Sequence, residues 1–378
     1  MKKILFRISR ILRSERTGKY KIRINFMMKY KHLRKDQVSR RSFVRNIGVV
    51  SALGLAPISI LPIGLNKSKI NIEPDQYKKG LTGPVISVRT PFNKEGDIDY
   101  DALRKQIDFS IDGGANAVIL TYGDSLFSLL SDNEIAQLTG KCIECVNKRV
   151  MLVAATGQWP TAKTKEFAKF SATAGADMLM VLPPDWAGSC TLETLVNHYK
   201  AAGEYIPVMV VNNYLGSRAP SFALTVIKAL YENVPRVVAL KDDVTGTLVR
   251  QICIMTHDRW ALIAGGQKQN HINMLPYGVD GYFSLMTTFN PDIARKYWNA
   301  IKSNIMDEAI SIVRDYDMPV FNYMLTLEGG FDAGMHGMLE LTGLGKRYRR
   351  APYYSLSDSQ MEKLRDFLKS KPYVKNLI

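Results

Sequence analysis

Cysteine is scarce, four residues in 378, too few to staple a chain of this length with disulfides. Cys142 and Cys145 form a lone C-x-x-C with no second pair to complete a zinc set. They continue the apolar helical stripe Ile135, Leu138, Cys142, Cys145, so core packing is their expected role. The histidines His198, His257, His271 and His336 stand far apart, with no pair at ligand spacing, so no metal is expected. No P-loop is present, and no G-x-G-x-x-G follows the first strand-like run, which removes the phosphate-cradling and dinucleotide-binding classes; no cofactor is called for. Acidic residues are in deficit overall, with a formal charge of +16, but sixteen Lys/Arg against only Glu15 and Asp36 lie within residues 1–45. The rest of the chain is close to neutral, so a nucleic-acid footprint on the folded domain is excluded.

What the chain does have begins with that basic leader. Ser39-Arg40-Arg41-Ser42-Phe43-Val44-Arg45 stands before an apolar run, residues 47–65, broken by Gly, Ser and Pro. A charged segment followed by a moderately apolar one is an export signal, and the paired arginines with Phe43 resemble the twin-arginine type. Residues 1–65 are therefore expected to address the protein to the twin-arginine export machinery and the periplasm, an uncleaved membrane anchor being the alternative. Residues 66–79, polar with one proline, read as a linker, and residues 80–378 as the folded domain.

From Gly80 onward the pattern is regular. Short apolar runs at 85–88, 117–120, 150–155, 178–182, 208–211, 237–240, 261–264 and 281–284 read as buried strands. Helical spacing fills the gaps, as in Leu103, Ile107, Ile111 closed by Gly113-Gly114. Ser131-Asp132-Asn133-Glu134 is a capping box before the Cys142 stripe. Eight strands alternating with helices imply a parallel sheet with right-handed crossovers, most economically a (β/α)₈ TIM barrel. The periodic tail beyond Pro291 predicts additional C-terminal helices beside it.

In such a barrel the chemistry sits at the carboxyl ends of the strands. Those positions are Thr121, Tyr122 and Gly123 after strand two, Asp185 after four, and Tyr214 and Arg218 after five. Lys241 follows strand six, Gly265 strand seven, and Ser284 lies at the end of strand eight. Desolvation at the mouth of a buried strand disfavours an ammonium, and a neutral lysine is the amine that imine chemistry needs. Asp242 and Asp243, just beyond it, are expected to cap the next helix.

These motifs, taken in order, resemble the dihydrodipicolinate synthase / N-acetylneuraminate lyase family of class I, Schiff-base aldolases. The markers are Thr90-Pro91-Phe92 with Gly96-Asp97-Ile98-Asp99, then Thr121-Tyr122-Gly123-Asp124, Lys241-Asp242-Asp243-Val244-Thr245-Gly246, and Tyr353-Tyr354-Ser355-Leu356-Ser357-Asp358. The resemblance implies that Lys241 forms an imine with pyruvate or another 2-oxo acid, and that the chain assembles as a homo-oligomer, commonly a tetramer of barrels. Three departures stand out. Tyr122 replaces the second threonine of the carboxylate-binding loop. The family's relay tyrosine on strand five falls on Val211, or on Asn213 when the alignment is anchored at Ser217-Arg218. Asp185 stands where a second tyrosine is expected. Asp185, Tyr122 and Tyr214 are the candidate substitutes for the relay.

The expected activity is thus a lyase or aldolase in which Lys241 is the nucleophile, Tyr214 and Asp185 are the candidate proton carriers, and Thr121, Tyr122, Gly123, Arg218, Gly265 and Ser284 bind substrate. A dehydratase of keto-deoxy sugar acids on the same imine is one alternative. A non-catalytic exported barrel that binds a sugar acid is the other.

Overall fold

Eight short strands, most of them buried along their whole length, close on themselves in the computed structural model, which describes residues 74–244 and 246–378. They are β1 (Gly83–Ser87), β2 (Ala117–Ile119), β3 (Met151–Ala155), β4 (Met178–Val181), β5 (Val208–Val211), β6 (Val237–Asp242), β7 (Ala261–Ala264) and β8 (Gly281–Phe283). All pair in parallel in chain order, and β8 returns to β1. Strands covered on both faces need no polar alternation, which is why they are continuous apolar runs. The architecture is the expected (β/α)₈ barrel with C-terminal helices. The capping box at Ser131 forms as expected, and Gly113 caps helix Tyr100–Asp112. Cys142 and Cys145 are buried free thiols.

Two boundaries differ from expectation. Residues 74–79, read as linker, belong to helix Pro74–Leu81, which packs against β6 and β7. Tyr77 and Leu81, one turn apart, are its only large apolar residues, and both are buried; this pair suffices because the barrel end supplies the rest of the core. The chain crosses so close to the foot of β8 that a Cβ on Gly281 would overlap the Leu81 carbonyl. Strand six runs two residues past the apolar stretch, so Lys241 lies within the ladder, opposite Val211 and Ile263. Its neighbours extend the strand where local propensity would end it. The leader and residues 66–73 lie outside the described residues. Among the described residues no helix is long and apolar enough to cross a membrane.

The tail is joined to the barrel by buried charge as well as by a second apolar cluster. Helix Met318–Thr326 packs on helix Gly330–Leu341, and the latter on helix Asp358–Lys369, around Met324, Met338 and Leu364. Lys268, just past β7, makes a fully buried ion pair at 3.1 Å with Asp317 of the π-turn Val313–Asp317, and also donates to Ser284 Oγ at 3.2 Å. At a second joint, Asp332 accepts from Arg349 at 2.5 Å, lies 3.5 Å from Arg89 and 4.0 Å from the buried His336.

Breaking a buried pair strands the remaining charge, so Asp317→Ala should cost about 3–5 kcal/mol in urea unfolding. Lys268→Met/Asp317→Leu together should recover most of it. Burial, aided by Arg89 and Arg349 and opposed by Asp332, holds His336 down at about 4 against an ordinary 6.5. The unfolded chain therefore takes up this proton first, and stability falls as pH drops from about 6.5 toward 4, by up to ~3 kcal/mol. Unfolding free energies across that window should decline less steeply for His336→Phe than for the wild type.

Candidate active site

The carboxyl ends of the strands surround a cleft of about 380 Å³. Lys241 reaches into it from β6, and the residue is only 9% exposed. Its ammonium is held by both oxygens of Asp243, at 2.6 and 2.5 Å, and lies 5.1 Å from the centre of the Phe283 ring. Asp243 itself lines the cleft. Its second oxygen accepts from Asn213 Nδ2 at 2.5 Å, and its backbone N–H donates to Asn213 Oδ1 at 3.2 Å. The expectation that Asp243 caps the next helix is therefore corrected: the N-cap of helix Thr247–Thr256 is Gly246, and the carboxylate turns inward to the lysine. Asp242, buried, accepts from Asn212 at 2.6 Å and from the Val244 amide at 2.8 Å, tying the end of β6 to that of β5.

The loop after β2 is pinned from below. Ser125 Oγ donates to the Val88 carbonyl at 2.8 Å and accepts from the Thr121 amide at 3.1 Å, while Thr121 Oγ1 accepts from the Asp124 amide at 2.9 Å. The amides of Tyr122 and Gly123 bond to no group among the described residues, and both residues line the cleft. Two adjacent N–H groups held on a rigid turn are suited to a carboxylate. Tyr214 also lines the cleft. Burial, then Tyr122 and Asp243, push its hydroxyl pKa up, so it remains a proton donor.

Four of the expected site residues fall elsewhere. Asp185 and Arg218 pair with each other at 3.5 Å. Asp185 accepts from the Cys190 amide at 2.9 Å, and Arg218 donates to the Cys190 carbonyl at 2.6 Å, so both fasten the loop after β4 and neither lines the cleft. Ser284 turns to Lys268. Gly265 contributes an absence: a Cβ there would overlap the Asp243 carboxylate.

Other cleft residues carry weaker sequence signals. Arg89 stands two residues past β1, a rim position like the others. It is 3.3 Å from Asp124, with its guanidinium 5.4 Å from the centre of the Phe331 ring. Burial works against ionisation of Asp124, but Arg89, the nearby Ser87 hydroxyl and the Lys241 charge outweigh it and hold the carboxyl below its usual value. Phe321 and Phe331, from the tail helices, close the mouth with ring centroids 5.0 Å apart. The tail thus walls the site as well as packing beside the barrel.

Residues 80–371 match the model of the dihydrodipicolinate synthetase family. The 4-hydroxy-tetrahydrodipicolinate synthase of Syntrophus aciditrophicus is 27% identical over 287 residues, 75% of this chain and 96% of that protein. Among solved structures, N-acetylneuraminate lyase from Fusobacterium nucleatum superposes with a TM-score of 0.69 at 18% identity, covering 78% of this chain and all of that one. YagE, a prophage protein of E. coli K12 solved in complex with pyruvate, gives 0.66 at 21%, covering 76% and 98%. These structural likenesses establish the shared fold, and the match across the whole barrel and most of the tail establishes kinship: the chain belongs to the dihydrodipicolinate synthetase family, whose members include Schiff-base lyases.

Proposed function

We propose that this protein is a lyase or aldolase in which the Lys241 amine attacks the ketone of a 2-oxo acid and the resulting iminium draws electrons from a carbon–carbon bond being broken or made. The observation that carries the reading is a nearly buried lysine at the carboxyl end of β6, reaching into the cleft at the barrel mouth. The free amides of Tyr122 and Gly123 support it by offering a seat for the substrate carboxylate, with Tyr214 able to donate a proton. The bound pyruvate of YagE supports the same substrate class by kinship. About 380 Å³ exceeds what pyruvate fills and leaves room for a longer chain, such as a keto sugar acid, between Phe283, Phe321 and Phe331. On the leader's twin-arginine-like pattern, the reaction takes place outside the cytoplasm.

Borohydride reduction of the full chain with pyruvate should leave a reduced adduct on the peptide bearing Lys241, and Lys241→Arg should abolish it. Absence of label on Lys241 with every 2-oxo acid offered would remove its role as nucleophile, and tight, reversible binding of such an acid by calorimetry with no imine formed would make the barrel a binder. Water loss with the carbon chain intact would make it a dehydratase instead.

A further inference from the structure

Forming an imine is an exercise in moving protons. A lysine ammonium must lose one proton before its lone pair can attack the ketone, and the nitrogen must lose a second after the carbon–nitrogen bond forms. The former carbonyl oxygen must gain two to depart as water. An iminium is left on the nitrogen, so two protons travel the same path from nitrogen to oxygen. The efficient arrangement is one group with a free lone pair that touches the nitrogen and faces the substrate.

One carboxylate in the cleft has that geometry and a built seat to keep it. Asp243 reaches Lys241 Nζ with both oxygens, at 2.6 and 2.5 Å, while its side chain stays 31% exposed on the cleft side. Three other parts of the barrel make room for it. Asn213, after β5, holds its second oxygen at 2.5 Å. Gly265, at the end of β7, leaves open the space the carboxylate fills. Asn270 donates to the Asp243 carbonyl at 3.0 Å and itself fills the space left by Gly266. A residue needed only to balance a lysine's charge would not require a glycine beneath it and an asparagine to aim it. The other titratable groups lining the cleft with this pair are Tyr122, Tyr214, and Asp124 with its partner Arg89. Asp124 is engaged by Arg89, and among the described residues only Asp243 hydrogen-bonds Lys241 Nζ, which leaves Asp243 as the acceptor.

We propose that Asp243 is the catalytic acid–base of this site, carrying both protons in turn from Lys241 to the substrate oxygen and taking the place of a tyrosine relay. The inference rests on the imine chemistry proposed above. Asp243 first takes a proton from the ammonium. The amine attacks, and the carbonyl π electrons move to oxygen, which receives that proton. The carboxylate then takes the second proton from nitrogen and passes it to the hydroxyl. Water leaves as the nitrogen lone pair closes the C=N bond, and Asp243 ends as a carboxylate beside the iminium.

The test compares initial rates of borohydride-trapped imine formation with pyruvate, from pH 5 to 9, in full-length wild type and Asp243→Asn. The amide keeps the size of the side chain and its contact with Asn213 but cannot accept the proton, so the rate should fall by about 100-fold or more across the range. If Asp243 merely neutralises Lys241, the same change releases the amine from its counter-ion. Trapping would then match or outpace the wild type and begin at lower pH, overturning the proposal. Asp243→Ala, with its fold checked by near-ultraviolet circular dichroism, supplies the second arm. Added formate should restore its rate in proportion to concentration, and no restoration would count against a carboxylate acting as the carrier. A wild type that traps no 2-oxo acid would remove the imine reading and the proposal together, whereas a wild type that traps while Asp243→Asn keeps pace would remove only the role of Asp243.

Discussion

A lysine amine at the end of a buried strand is in conflict with its surroundings, because low-dielectric walls oppose the charge that water would support. Here the conflict is settled by a carboxylate two residues further on, both of whose oxygens touch the nitrogen. That pairing shapes the rest of the rim. Gly265 must be a glycine because the carboxylate occupies the space of its side chain, and Asn213 is turned toward it rather than toward solvent. On the role proposed for Asp243, the amine rests beside its own proton acceptor, so activation can occur within the pair with no side-chain travel.

The tail helices follow from the same need to enclose charge. A barrel mouth is open by construction, and water in it would weaken every polar contact with a small acid. Phe321 and Phe331 narrow it, and the helices bearing them are fixed to the barrel by Lys268–Asp317 on one side and by Arg89, Asp332 and Arg349 on the other. Arg89 belongs to both tasks, since it holds Asp124 at the cleft and Asp332 of the tail. Stability and site geometry are therefore coupled through buried charges, and acid that weakens the His336 joint acts on the wall of the cleft.

The barrel was legible in the sequence because each strand is an apolar run closed by a turn, and eight such units have few ways to bury both faces. Lys241, Thr121, Tyr122, Gly123 and Tyr214 were legible because strand ends in a closed barrel converge on one rim. Asp185 and Arg218 were placed there by the same reasoning. The loop after β4 is long enough to turn outward and use them as its own clasp, which strand position alone does not reveal. Asp243 was hidden for a different reason: its orientation depends on Gly265 and Asn213, more than twenty residues away on either side. The helix at residues 74–81 was hidden because only two of its residues are large and apolar, and the surface that makes them sufficient lies on β6 and β7. The export reading of the leader lies outside the described residues.

We propose that Lys241 and Asp243 act as one unit on a 2-oxo acid. A crystal structure of the full-length protein soaked with pyruvate tests it most directly. Expected are continuous density from Lys241 Nζ to the substrate's second carbon, the carboxylate on the amides of Tyr122 and Gly123, and an Asp243 oxygen within hydrogen-bond distance of the new bond. Pyruvate seated elsewhere, with Lys241 still clasped by Asp243, would contradict it.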